Sequence, residues 1–115
     1  MTYRQFIVPT DQDFEAVLGI TPEVRGEDGV RGIVALTTDD VDIDLTIDPL
    51  GQSVALIVRH NAIEVVRITR EGAAELRLAK APPEITIEFG TDDTTGRIEV
   101  MLAPSIHISE TTLLR

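Results

Sequence analysis

The sequence predicts a mainly β, α+β fold. It reads as an antiparallel meander of about seven to nine strands, curled into a roll or partly closed barrel, with one short N-terminal helix. Three observations predict this. The stretch Thr38 to Asp48, TDDVDIDLTID, places apolar Val41, Ile43, Leu45 and Ile47 between polar neighbours, a period of two. From Val30 onward, short apolar-rich segments recur between turn residues, with no helical stretch long enough for a βαβ crossover. Helical spacing marks one short segment near the N-terminus.

Tyr3–Val8 reads as a short strand that Pro9 ends. Thr10 suits a helix N-cap, with Asp11 and Asp13 favourably placed in the first turn. Phe14, Val17 and Leu18 share one face, and Gly19 can close the helix. So short a helix must pack on something to persist. Thr21–Gly29 is a polar loop. Strands follow at Val30–Leu36, Val41–Asp48, Ser53–His60, Ile63–Arg70, Ala74–Ala79, Glu84–Phe89, Arg97–Leu102 and Ile106–Ser109. Turns separate them at Thr38-Asp39, Pro49–Gly51, Asn61-Ala62, Glu71-Gly72, Pro82-Pro83 and Asp92–Gly96. The Ala79–Pro83 segment suits a sheet edge or corner.

Registers follow from the turns. Placing Asp48 opposite Ser53 aligns Ile47–Val54, Leu45–Leu56 and Ile43–Val58 on one face, a clean core. The other face then carries Thr46–Ala55, Asp44–Ile57 and the ion pair Asp42–Arg59. With a turn at Asn61-Ala62, Arg59 faces Glu64, Ile57 faces Val66 and Ala55 faces Ile68. This creates an apolar centre of Ile57, Val66 and Ile68 beside the acidic strand. The N-terminal helix is the expected cover for it. Left uncovered, it would be a binding surface.

The length of 115 residues fits a single domain, 1–115, which can bury about two-thirds of its unfolded surface without a staple. There is no cysteine, so disulfides, thiolate metal sites and thiol nucleophiles are excluded. The N-terminus lacks the pattern of a signal peptide, and the longest apolar run, Val54–Val58, is too short to span a membrane. A cytoplasmic location is expected. The net charge is −10, with Lys80 the only lysine and the arginines scattered singly. Nucleic acids and anionic membranes are therefore unsuited partners, whereas a basic protein is suited.

No motif announces catalysis. The D-x-D-x-D spacing from Asp40 resembles the opening of a calcium loop, but Leu45 and Gly51 stand where that loop needs Gly and Glu. His60 and His107 form no metal-binding spacing, and Ser53, Ser105 and Ser109 lack a nucleophile elbow. Aromatic residues make up 3% of the chain, too few for a sugar platform. No catalytic residue, metal or cofactor is expected.

Two functions remain, beside the plainer reading that the negative charge only keeps the domain soluble. The first is a non-enzymatic acidic interaction protein, in the manner of immunity proteins or antitoxins. It would hold a basic partner through a face of Asp40, Asp42, Asp44, Asp48 and Arg59. Neighbouring carboxylates on that face lie about 7 Å apart and repel by roughly 0.6 kcal/mol in water, so the row is tolerable without a ligand. The second is a small-ligand binder or enzyme using the interior of the curled sheet, with Arg67 and Thr69 sharing the core parity as inward polar groups, unless Arg67 sits at the sheet's edge with its head in water.

Overall fold

The computed structural model describes residues 5–36, 40–90 and 93–114. Its helix α1 spans Asp11–Leu18. Nine strands follow: β1 Glu23–Val24, β2 Arg31–Leu36, β3 Val41–Asp48, β4 Ser53–His60, β5 Ile63–Glu71, β6 Ala73–Lys80, β7 Pro83–Gly90, β8 Thr94–Met101 and β9 His107–Leu114. All strand pairs are antiparallel, in two sheets ordered β1-β2-β3-β4-β5 and β6-β7-β8-β9. The sheets do not close into a barrel. No described helix is long and apolar enough to cross a membrane.

The meander is therefore two meanders joined at one residue. Gly72 has φ 77°, a left-handed conformation open to glycine at little cost. There the chain leaves the first sheet and begins the second. Glu71-Gly72 reads in sequence as an ordinary turn between paired strands, yet β5 and β6 do not pair. The Ala81–Pro82 turn joins β6 to β7, with Lys80 opposite Pro83.

The inward faces of both sheets supply one core. Ile43, Leu45 and Ile47 of β3 and Val54, Leu56 and Val58 of β4 meet Leu76, Ile85, Ile87, Ile98 and Val100 of the second sheet. Among the described residues no polar or charged residue is buried. Apolar side chains, each less than a tenth exposed, line the space between the sheets.

The helix begins as the sequence predicts. Thr10 Oγ1 accepts from the Asp13 amide at 3.2 Å, and Asp13 Oδ2 accepts from the Thr10 amide at 3.0 Å. Gly19 closes it, and Asp11 reaches Arg31 of β2 at 3.4 Å. Its position differs from expectation. It packs on β6 and β7, driving Phe14 into the core, and does not cover Ile57, Val66 and Ile68. The expected strand Tyr3–Val8 falls partly outside the described residues. Within them it is a single parallel bridge of Ile7 to Glu75. The turn at Thr38-Asp39 lies outside the described residues, as does Asp92, while Thr94–Gly96 belong to β8.

Candidate functional site

The β3–β4 pairing matches the expected register from Asp48–Ser53 through Asp42–Arg59. The outer face of β3 thus carries Asp42, Asp44 and Thr46. It is less free than a row of carboxylates would be, because two arginines lie on it. Arg25, just after β1, crosses the sheet to Asp44. Its Nη2 donates to Asp44 Oδ2 at 3.2 Å, its Nη1 to Asp44 Oδ1 and to Thr46 Oγ1 at 2.8 Å, and Glu23 holds it from behind at 3.2 Å. The guanidinium passes over Gly32, where any Cβ would overlap it and push Arg25 aside. From the other side, Arg59 Nη1 lies 3.6 Å from Asp42 Oδ2 and 3.5 Å from Asp44 Oδ2.

Charges therefore alternate across the face in the order Arg25, Asp44, Arg59, Asp42. The Asp44 side chain is only 16% exposed. Its hydrogen bond raises the Arg25 pKa above the ordinary arginine value, against a smaller opposing effect of burial. Asp48 Oδ1 accepts from the Gly51 amide at 2.9 Å and shapes the β3–β4 turn. Asp40 stands exposed at the other end, with φ 56° and its carbonyl accepting from the Asn61 amide. Asp40 makes no ion pair among the described residues. Of the carboxylates expected to form the face, Asp42 and Asp44 are salt-bridged, Asp48 is tied to the turn, and among the described residues Asp40 alone has no such partner.

The expected apolar centre is split. Arg59 faces Glu64, as the turn implies, but the register slips beyond it. Val58 faces Val66, Leu56 faces Ile68 and Ile57 faces Arg67, so Val65 is the extra residue of a β-bulge. Val66 and Ile68 therefore lie on the core side, and Ile57 lies on the outer face with the acidic strand. The same slip turns Arg67 and Thr69 to the outer face, and the Arg67 head lies in water, the edge placement open to it in the sequence. Arg67 Nη2 binds Glu64 Oε1 at 2.6 Å. That bond holds the Glu64 carboxyl below the usual carboxylate range and raises Arg67.

A different apolar surface results at this end of the molecule. Val41, Val58, His60, Val65, Val66, Ser105, Ile106 and Ile108 line a cleft of about 330 Å³. Val65 is 58% exposed and Val66 41%. Beside it, sharing Val41, a hollow of about 490 Å³ is lined by Leu36, Asp40, Asp42, Asn61 and Ala62. An apolar centre with carboxylates along one border is a common build for a protein-binding surface. The sequence reading missed Val65, Ile106 and Ile108. The signal was the pair Val65-Val66, where the apolar alternation changes phase.

The outer face of the second sheet is internally matched. Glu88 pairs with Arg77 and lies 3.6 Å from Arg97, which is also 3.6 Å from Glu99. A hollow of about 480 Å³ lies there over Gly90, Thr95, Gly96 and Thr111. His60 flanks the Asn61-Ala62 turn, and His107 opens β9 opposite Met101. Among the described residues no group of three or more His, Cys, Asp or Glu is placed to hold a metal ion.

No protein-family model matches the sequence, and no curated protein matches it. Among solved structures, the fold is similar to a chain of a contact-dependent growth inhibition toxin–immunity protein complex from Klebsiella pneumoniae 342. The TM-score is 0.82 at 16% identity, over 96% of this chain and 100% of that one. At that identity the likeness is one of fold.

Proposed function

We propose that this chain is an immunity-type inhibitor, a binding protein that neutralises a basic protein toxin by docking on it. The observation that carries this reading is the full-length fold likeness to a chain of a toxin–immunity complex. The net charge of −10 supports the inhibitor's side of such a pair, since an acidic surface steers a basic partner into encounter. The proposed contact surface is the end of the molecule where Asp40 and Asp42 border the apolar cleft. The outer face of β3 continues it through Asp44, Arg59 and Asp48. Arg25 and Arg59 would keep Asp44 and Asp42 in fixed positions before the partner arrives, which lowers the ordering cost of docking. We place the protein in the cytoplasm, where a chain without cysteine loses nothing to reducing conditions.

The test uses the most basic protein encoded beside this chain as the toxin candidate. Co-production should relieve its toxicity. The purified pair should associate about tenfold or more slowly in high salt than in low salt. An association rate that ignores ionic strength would remove the electrostatic reading. Absence of both binding and protection, for that candidate, would overturn the immunity-type assignment.

A further inference from the structure

The two sides of the molecule treat their strand edges differently. At β6 the Ile7 segment adds in parallel, its amide donating to the Ala74 carbonyl and its carbonyl accepting from Leu76, both at 2.9 Å. Helix α1 packs beside it. The other edge of the first sheet, β1, is only two residues long. The edges β5 and β9 are long, and among the described residues no further strand pairs with either. They run beside each other. Arg70 binds Glu110 through two hydrogen bonds, at 2.7 and 2.9 Å, and further along Val65 and Val66 share the apolar cleft with Ile106 and Ile108.

Exposed edges are ordinarily guarded by charges and bulges. On β5 three of the four charges are engaged elsewhere, Glu64 with Arg67 and Arg70 with Glu110, and the fourth, Glu71, stands at the strand's far end. The bulge leaves Val65 exposed beside Val66 and Ile63. We propose that the free edge of β5 receives an extended segment of the basic partner, which adds to the five-stranded sheet as a further strand and seats apolar side chains in the cleft. This rests on the immunity-type reading and names how its partner docks. Main-chain hydrogen bonds would give affinity, and the cleft would select side chains.

Charge decides the occupant. The cations near this edge, Arg59, Arg67 and Arg70, each already hold a carboxylate. Asp40, in the adjoining hollow, makes no ion pair among the described residues. The segment that fits therefore interleaves apolar residues with lysine or arginine.

The probe is a short, end-blocked peptide alternating valine with lysine, together with its two forms N-methylated at every second residue. Binding is followed by amide chemical shifts and hydrogen exchange on the full chain. Shifts should concentrate at residues 63–71 and 106–108, with alternate β5 amides slowed about tenfold or more. The methylated form that blocks the edge-facing amides should fail, and the other should still bind. Val66→Lys, at a partly exposed position, should weaken the parent peptide about tenfold while leaving the spectrum of the free chain folded. Equal binding of all three peptides, no binding, or shifts confined to Asp42, Asp44 and Arg59 would overturn strand addition. So would a dimer of the free chain that Val66→Lys dissolves, because the occupant would then be a second copy. If peptide binding fails while the toxin candidate still associates in a salt-dependent way, strand addition falls and the immunity-type reading stands. The reverse result sinks that reading alone.

Discussion

The β6 side and the β5 side of this protein meet the same physical problem with different means. Each ends a sheet, and each end exposes unpaired backbone groups and the margin of an apolar core. On the β6 side the chain supplies its own cover: Ile7 pairs with the strand, and α1 drives Phe14 to 1% exposure. On the β5 side the chain supplies an ion pair, Arg70–Glu110, and leaves Val65 and Val66 beside an open cleft. The difference teaches that the chain covers one margin of its core itself and leaves the other open, which is why we place partner docking there.

The largest expected effect is on the sealed side. Phe14→Ala should cost about 3–5 kcal/mol of stability, since it removes a fully buried aromatic and leaves a cavity. Val65→Ala on the open side should change stability by less than about 1 kcal/mol. Denaturant unfolding of both variants checks the contrast, and equal losses would break it.

Gly32→Ala comes next. Its methyl would push the Arg25 guanidinium off Asp44 and cost about 1 kcal/mol, the loss of a partly exposed ion pair. Combined with Arg25→Ala, the same change should cost clearly less than the sum of the two single losses, because the clash is gone. Additivity would show that Arg25 does not lie over Gly32 in solution.

A smaller effect attends the Arg70–Glu110 pair. Its partners are 44% and 30% exposed, so Glu110→Gln should cost less than about 1 kcal/mol, and the difference should shrink with salt. A loss of several kcal/mol would make the β5 side as structural as the β6 side.

The smallest effect is a titration. Arg67 holds the Glu64 carboxyl below the ordinary glutamate pKa. A folded-state pKa that is lowered contributes stability above the unfolded value, about 4.3, and that contribution is lost as pH falls through the folded value. Carboxyl NMR should find Glu64 titrating below the ordinary range, and Arg67→Gln should return it upward.

Much of this was legible in the sequence. The β3–β4 hairpin could be read residue by residue because Val41–Asp48 alternates without interruption and its turn fixes the register. The helix was legible because Thr10 and Asp13 satisfy each other's backbone amides locally. What failed was non-local or out of phase. Either register of β5 sets apolar residues on a face, Ile63 and Val65 or Val66 and Ile68, so periodicity could not choose, and the bulge at Val65 moved the apolar surface. The sheet change at Gly72 looks like a turn because the same residue type serves both. The pairing of Asp44 with Arg25 spans a loop that carries no periodic signal, so the acidic strand read as free when half of it is held.

The central claim is that the β5 edge stands open until a basic partner fills it. Amide hydrogen exchange of the chain, alone and with the basic toxin candidate, tests it most directly. The account predicts fast exchange at alternate β5 amides in the free chain, slow exchange at Ile7 and Leu76, and marked slowing of β5 when the partner binds. Protection of the outer face of β3 with β5 unchanged would contradict it.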